Sequence, residues 1–465
     1  MLPANPAKAP NAYASRREIF GWAMFDFANQ AYTLLIITVV FGELFTTVIV
    51  GDRGDDFRLA NFLWSLALAI SYLMVVVTAP LCGAVMDYRA EKKRFLLVSY
   101  LATVVTTAML YFVEPGYVII GLLLIVLSNY AYSMGESFIA AFLPELGPPE
   151  SLGKISGFGW ALGYIGGLFA AGFTLVMLGE ASVDNFERIR WVGPFAAGFF
   201  LITAIPTFLW LKERGTAQPR GVSYRHIALN RVTTTLHELR HFKDLTVFLV
   251  SLLFSMAGVY IIIAFAFIYG AQVIGWDEGV RNIMFIIVQV TAAAGALGFG
   301  WLQDQLGAKR TYQMTLALWV LAIIAIWATP EVTQWVNGRF DVQWQAQYVF
   351  LVVGCLAGLS LGSSQSASRA LVGLFSPLEK AAEFFGFWGL ANKLAGVFGI
   401  VMLGVLQTLI GLQASILLCV ALFVTAMLIC LRVNERRGRE AALAWEAGGH
   451  TNSHTNNSHI NHNNA

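Results

Sequence analysis

Charge is what this sequence has least of. Of its 465 residues, 12% are Asp, Glu, Lys or Arg, against roughly a quarter in soluble domains. With 57% hydrophobic residues and a mean hydropathy of +0.65, the chain cannot cover its apolar surface with charge. A water-soluble globular fold is excluded, and lipid is the expected solvent. Cysteine is sparse too: Cys82, Cys355, Cys419 and Cys430 sit in or at the ends of apolar runs without paired spacing, which excludes a disulfide framework. Residues 1–18 are Pro/Ala-rich and basic and carry no apolar signal-peptide core, so the first span is expected to stay in the mature protein. No helix carries a spaced His/Glu metal motif. Gly147 to Lys154 imitates a phosphate loop, but it has five intervening residues instead of four, and Ile155 follows where Ser or Thr is needed. These absences exclude transport driven by nucleotide hydrolysis within the chain and leave no room for a soluble enzyme domain. No cofactor and no nucleic-acid partner is expected.

What remains is a series of long apolar runs. Read against the charged breaks, they predict twelve membrane helices, near 20–49, 59–86, 95–113, 117–142, 155–178, 191–211, 246–271, 281–302, 311–329, 347–371, 385–408 and 412–431. The stretch 212–245 differs. It is polar and basic, with Lys212, Arg214, Arg220, Arg225, Arg231, Arg240 and Lys243, and reads as a linker with a surface helix. The organisation expected is an N-terminal segment 1–18, a six-helix bundle 19–211, the linker 212–245, a second six-helix bundle 246–431 and a tail 432–465. The tail is basic and then Asn/His-rich, a composition that predicts disorder. His450, His454, His459 and His462 are its weak candidates for metal ligation.

Lys and Arg set the orientation. With the N-terminus in the cytoplasm, 22 of the 30 basic residues fall on that side and six on the other; Arg369 and Lys393 remain inside spans. This asymmetry satisfies the positive-inside rule and places both termini and the linker in the cytoplasm. A multi-pass protein of a bacterial inner membrane is expected.

A short polar cassette occurs twice, each time after an apolar run. The first copy runs from Gly83 to Asp87, followed by Lys92, Lys93 and Arg94. The second runs from Gly300 to Asp304, followed by Gly307, Lys309 and Arg310. Gly83 and Gly300 stand 217 residues apart, close to half the chain. A small residue lets two helices approach closely. An aspartate four positions on can face a neighbouring helix N-terminus or a basic residue. The basic cluster is expected to stay in cytosolic water. Together these make a latch that closes one face and releases it, and two halves with one latch each read as a transporter. A second echo runs from Pro148-Pro149-Glu150 to Gly157-Phe158, and again from Pro377-Leu378-Glu379 to Gly386-Phe387. Its offset of 229 (157 to 386) exceeds 217, which a longer loop between spans nine and ten (Pro330 to Ala346) accounts for.

On these residues the chain resembles the major facilitator superfamily, whose loop signature between helices two and three recurs between eight and nine. In the first copy Ala90 and Glu91 stand where Gly and a basic residue are usual. A narrower likeness lies at Phe25-Asp26-Phe27-Ala28-Asn29-Gln30-Ala31. It resembles the Tyr-Asp-Trp-Ala-Asn-Ser-Ala opening of the vacuole effluxer-like transporters, with Phe25, Phe27 and Gln30 as departures. Phe142-Leu143-Pro144-Glu145, Ser156 to Tyr164 and Ala382 to Gly386 agree with it. The resemblance implies an all-α integral membrane fold, with twelve transmembrane helices in two pseudo-symmetric six-helix bundles. It also implies export of small metabolites, amino acids in the fungal vacuolar members.

An ionisable residue within a span costs roughly 2.5–3.5 kcal/mol on insertion scales, so each needs a reason. Asp26 lies in span one with Asn29, Gln30, Tyr32 and Thr33 beside it. Glu136 lies in span four near Asn129. Gln365 takes the equivalent place in span ten, near Arg369, and Asn392 and Lys393 lie in span eleven. Asp26 or Glu136 is expected to pair with Arg369 or Lys393 across the halves. Such a pair has three possible roles: a gate, a static structural pair, or a site of proton coupling. Trp160 and Tyr164 are read as cavity residues. The glycines of spans five and eleven are read as packing positions.

The expected protein is not an enzyme. It is a secondary transporter working by alternating access, with a small amino-acid-like substrate, a proton as candidate coupling ion, the bilayer as partner and a monomeric state. Two alternatives stand beside it: a metal exporter using the His-rich tail, and a membrane receptor of the same fold that moves nothing.

Overall fold

The computed structural model describes residues 13–51, 58–173, 184–215, 217–218 and 241–455. Twelve helices in it are long and apolar enough to cross a membrane. We number them α1 (Arg16–Val50), α2 (Leu59–Arg89), α3 (Lys92–Phe112), α4 (Val118–Leu146), α5 (Pro149–Phe173), α6 (Phe186–Trp210), α7 (Lys243–Ile274), α8 (Gly279–Leu306), α9 (Ala308–Phe340), α10 (Ala346–Phe375), α11 (Leu378–Ile410) and α12 (Leu412–Cys430). No strand occurs among the described residues. Large apolar side chains point outward along these helices; Ile119 is 73% and Leu409 74% exposed. Only a hydrocarbon surround makes that arrangement favourable. The helices form two six-helix bundles that meet chiefly through α2 against α11 and α5 against α8.

Each bundle is closed by the same clamp on the face that carries the cassettes. In the first, the Glu18 carboxylate at the start of α1 accepts from Lys212 N and from both terminal nitrogens of Arg214, just past α6. In the second, Asp244 at the start of α7 accepts from Asn434 N (2.6 Å) and from Arg437 Nε and Nη2 (2.7 and 2.8 Å), just past α12. The orphan N–H groups at the next helix start are capped just as symmetrically. Glu213 accepts from Lys92 N and Lys93 N (3.1 and 2.6 Å), and Glu435 from Ala308 N and Lys309 N (3.2 and 2.9 Å). Lys93 Nζ and Lys309 Nζ then donate to Leu211 O and Leu431 O, the carbonyl ends of α6 and α12. Unfilled caps leave buried donors unpaired. Glu213→Ala and Glu435→Ala are therefore each expected to cost about 0.5–2 kcal/mol, read as a lowered Tm in detergent.

Two expectations are corrected. Pro330 does not end α9, which runs on to Phe340, so the loop before α10 is short. A proline in a helix interior frees the carbonyl one turn back; here that carbonyl, Ile326 O, accepts from Tyr269 Oη of α7 at 3.2 Å. The tail read as disordered forms a helix, α13 (Glu435–Thr455). It is ordered by docking on the second bundle: Trp445 packs on Phe242 and under Lys380 Nζ, and Glu446 accepts from Leu378 N. His450 and His454 fall in its last turns; His459 and His462 lie outside the described residues, as does linker 219–240.

Candidate functional site

A small cavity lies between the bundles, lined by Asp26, Asn29, Gln30, Glu136, Trp160, Gly163, Arg369 and Trp388. Its walls come from α1, α4 and α5 of one half and α10 and α11 of the other. Two ion pairs join the halves here, and Asp26, Arg369 and Glu136 of them line the cavity. Arg369 Nη1 donates to Asp26 Oδ2 at 2.7 Å, and Lys393 Nζ donates to Glu136 Oε2 at 2.9 Å. Both acids belong to the first half and both bases to the second.

The first pair is built into the packing. Arg369 is 2% exposed. Its Nε donates to Ser156 Oγ (3.1 Å) and its Nη2 to Ser156 O (2.9 Å) on α5, and its guanidinium stacks over Trp22 and Trp160. Gly159 makes the room. A Cβ there would fall 2.6 Å from Asp26 Oδ2 and 2.7 Å from Arg369 Nη2. The second pair is wetter, with the Glu136 side chain 24% exposed. Tyr132 Oη donates to Glu136 Oε1 (2.9 Å) and accepts from Thr33 Oγ1 (2.6 Å), and Lys393 Nζ lies 5.2 Å over the Tyr72 ring.

Three buried polar atoms of cavity residues have no hydrogen-bond partner among the described residues: Trp160 Nε1, Trp388 Nε1 and Asn29 Oδ1. Such atoms cost free energy unless something satisfies them. They are two donors and one acceptor carried by residues that line the cavity.

Other expected site residues stand elsewhere. Tyr32 Oη shares a hydrogen bond with Ser128 Oγ, and Asn129 Nδ2 donates to Ser71 Oγ; both tie helices within the first half. Asn392 Nδ2 donates back to Trp388 O along its own helix. Gln365 is half-buried on α10, outside the cavity lining. Tyr164 lies behind Trp160, ring centroids 6.0 Å apart, also outside the lining. Sequence reasoning left Trp388 open between a cavity wall and the lipid interface, favouring Trp160 and Tyr164, and missed Ser156 and Gly159 as site residues. The one available signal was position: Trp388 echoes Trp160 at an offset of 228.

The cassettes lie below the cavity and join the halves there. Asp87 accepts from Ala382 N (3.1 Å) and Glu383 N (2.8 Å) in the first turns of α11. Asp304 accepts from Gly153 N (3.0 Å) and Lys154 N (3.2 Å) in the first turns of α5. Each carboxylate thus meets unpaired N–H groups at the positive end of a helix in the opposite half. A Cβ at Gly83 would sit 2.3 Å from Ala382 O, and one at Gly300 2.6 Å from Gly153 O. Gly307 has φ of 93° and Ala90, its counterpart, 53°. Only glycine takes that region without strain, so Ala90 is a strained substitute. The basic cluster does not all remain in water. Lys92 is 2% exposed, with Nζ 2.8 Å from Glu145 and 3.6 Å from Asp87; two carboxylates compensate its burial. Arg94 and Arg310 are exposed. The cassette face is therefore closed in this conformation.

Comparison with known proteins agrees with this architecture. The sequence model of the family described as "Vacuole effluxer Atg22 like" matches residues 63–443. The chain is 25% identical over 432 residues to an uncharacterised major facilitator-type transporter, YxiO, of Bacillus subtilis (strain 168), covering 90% of this chain and 96% of that one. It is 20% identical over 261 residues to autophagy-related protein 22-1 of Emericella nidulans, where the match covers 54% of this chain and 44% of the relative. Among solved structures, the proton:xylose symporter XylE superposes with a TM-score of 0.69 at 15% identity, covering 92% of this chain and 98% of that one. A bacterial homologue of the iron transporter ferroportin, in its outward-facing state, superposes with a TM-score of 0.64 at 13% identity, covering 90% and 98%. At such identities the structures speak for the fold alone. Twelve spans in two latched halves, a charged cavity between them and a family match over most of the chain lead to one conclusion: this multi-pass membrane protein has the major facilitator fold and belongs to the vacuole effluxer Atg22-like transporter family.

Proposed function

We propose that the chain is a secondary transporter that exports a small zwitterion of the amino-acid type by alternating access. The observation that carries this reading is the cavity between the halves: three of the four members of the two cross-half ion pairs line it, and three polar atoms of its lining residues have no hydrogen-bond partner among the described residues. An empty protein that parts its halves around this cavity strips both pairs, and buried single charges are costly. A zwitterion offers each side a replacement. Its ammonium sits on Asp26 or Glu136, its carboxylate on Arg369 or Lys393, and the indole N–H groups of Trp160 and Trp388 donate to the carboxylate. Binding energy then offsets the cost of opening, which is how a ligand shifts a two-state equilibrium. Protonation of Asp26 or Glu136 does the same for one pair at a time and makes the proton the candidate coupling ion.

The excess of Lys and Arg on the cassette face supports a cytoplasmic placement for that face and both termini, as in a bacterial inner membrane. The family's description as an effluxer supports the outward direction. The working unit in this reading is the monomer.

Counterflow of a labelled amino-acid mixture into proteoliposomes, with and without a pH gradient, tests the reading. Accumulation is expected, and Asp26→Asn or Glu136→Gln should abolish it. Trp388→Phe keeps an aromatic ring and removes the indole N–H donor. A hydrogen bond to a charged group contributes about 1.5–3 kcal/mol, so the half-saturating concentration should rise about tenfold or more. No accumulation by folded protein would sink the amino-acid assignment.

A further inference from the structure

A second small cavity opens on the cassette face where three parts of the chain meet. Tyr13 and Leu152 belong to the first half, Gly373 and Ser376 to the second, and Arg439 to the tail helix α13. Arg439 is 7% exposed. Among the described residues its Nε has no hydrogen-bond partner, and its Nη1 makes one long contact, 3.4 Å to Leu374 O. Its neighbours on this face are treated differently. Arg437 is held by Asp244, Arg214 by Glu18, and Lys92 by Glu145. A guanidinium taken out of water without a counter-ion is an unfavourable arrangement, and burial pushes the pKa of Arg439 down. Glu446 and Glu150 are near enough to be felt. Glu446 is engaged with Leu378 N, and neither forms an ion pair with Arg439 among the described residues.

We propose that this cavity binds a phosphate-type oxyanion through Arg439, and that the bound anion holds the cassette face closed. The planar fork of a guanidinium matches the spacing of phosphate oxygens. The walls come from both halves and the tail, so the cavity exists only while they are together. A ligand that binds one conformer alone stabilises that conformer in proportion to its saturation. The anion has two possible sources with the same chemistry: a soluble phosphate compound, or the headgroup of an acidic phospholipid. The site is separate from the transport cavity and stands or falls independently of the amino-acid reading.

The test uses the full chain in phosphatidylcholine nanodiscs. Inorganic phosphate is titrated against chloride at matched ionic strength, followed by calorimetry and thermal unfolding. Saturable binding with a rise in Tm is expected, weakened at least tenfold in Arg439→Gln and less in Arg439→Lys. Gly373→Val fills the cavity without touching Arg439. Its added Cβ meets only an ordinary contact, 3.4 Å from Leu143 Cδ2, so this variant should fold and lose phosphate. A second arm adds phosphatidylglycerol. If the headgroup is the ligand, that lipid raises the Tm of the wild-type chain but not of Arg439→Gln, and free phosphate competes with it. Closure is read with a cysteine at Ser137, buried where α4 meets Gly389 of α11, in a chain whose Cys82 and Cys355 are serine. Its maleimide labelling should slow several-fold with anion. The proposal is overturned if neither phosphate nor phosphatidylglycerol binds saturably to the wild-type chain. Equal binding to Arg439→Gln, or unchanged labelling at saturation, overturns it as well.

Discussion

Arg369→Gln lowers the stability of the folded chain by about 3–5 kcal/mol, the cost of leaving one partner of a buried pair uncompensated. The side chains of Arg369 and Asp26 are 3% and 11% exposed, and among the described residues the guanidinium bonds to the other half: to Asp26, and to Ser156 through two atoms. Glutamine cannot replace three directed donors, and the Asp26 carboxylate stays behind in a closed site. The double variant Asp26→Asn with Arg369→Gln removes both charges and is expected to recover much of the loss. A thermal or chemical unfolding cycle over the four proteins measures the coupling. Additive effects would mean that the pair is not an energetic unit. The matching cycle at Glu136 and Lys393 should give a smaller coupling, because the Glu136 side chain is 24% exposed and water screens what the protein does not.

Gly83→Val forces the cassette face open. Its Cβ would lie 2.3 Å from Ala382 O and 2.7 Å from Ala382 C, which are main-chain atoms that no rotamer change can move. Helices α2 and α11 must separate, and that separation takes Asp87 away from Ala382 N and Glu383 N. Gly157→Val does the same on the other side of the two-fold, where a Cβ would lie 2.3 Å from Ala296 O of α8. Maleimide labelling of the Ser137→Cys reporter should rise by one to two orders of magnitude in either variant. A shift of about 1.4–2.8 kcal/mol in a two-state equilibrium corresponds to that range. Asp87→Ala, which removes the latch without a clash, is expected to move it less. Unchanged labelling in Gly83→Val would show that this contact does not gate the face.

The twelve spans and the two halves were legible because they rest on local quantities. Apolar length reports a membrane helix, and a repeated cassette reports a repeated bundle. Asp26, Glu136, Arg369 and Lys393 stood out for a similar reason: a charge inside a span is expensive enough to need a purpose. Helix ends were less legible. Pro330 looked like a terminator, but a hydroxyl on α7, far away in sequence, receives the carbonyl it frees. The tail looked disordered by composition, but Gly438 packs against Phe375 and Arg437 is clamped by Asp244. Those contacts exist only once the second bundle has formed.

By itself, the sequence determined the solvent, the number of crossings, the two-fold repeat, and which charges had to be buried together. Local apolarity and insertion cost act on each segment alone, so they can be read from the segment. Only the tertiary structure decided that Asp26 takes Arg369 while Glu136 takes Lys393. It also decided that Trp388 lines the cavity, that Lys92 is buried between carboxylates, and that Arg439 ends in a cleft without a counter-ion among the described residues. Each of those choices depends on which groups reach the same few ångströms from distant parts of the chain, and that is set by how the two bundles pack.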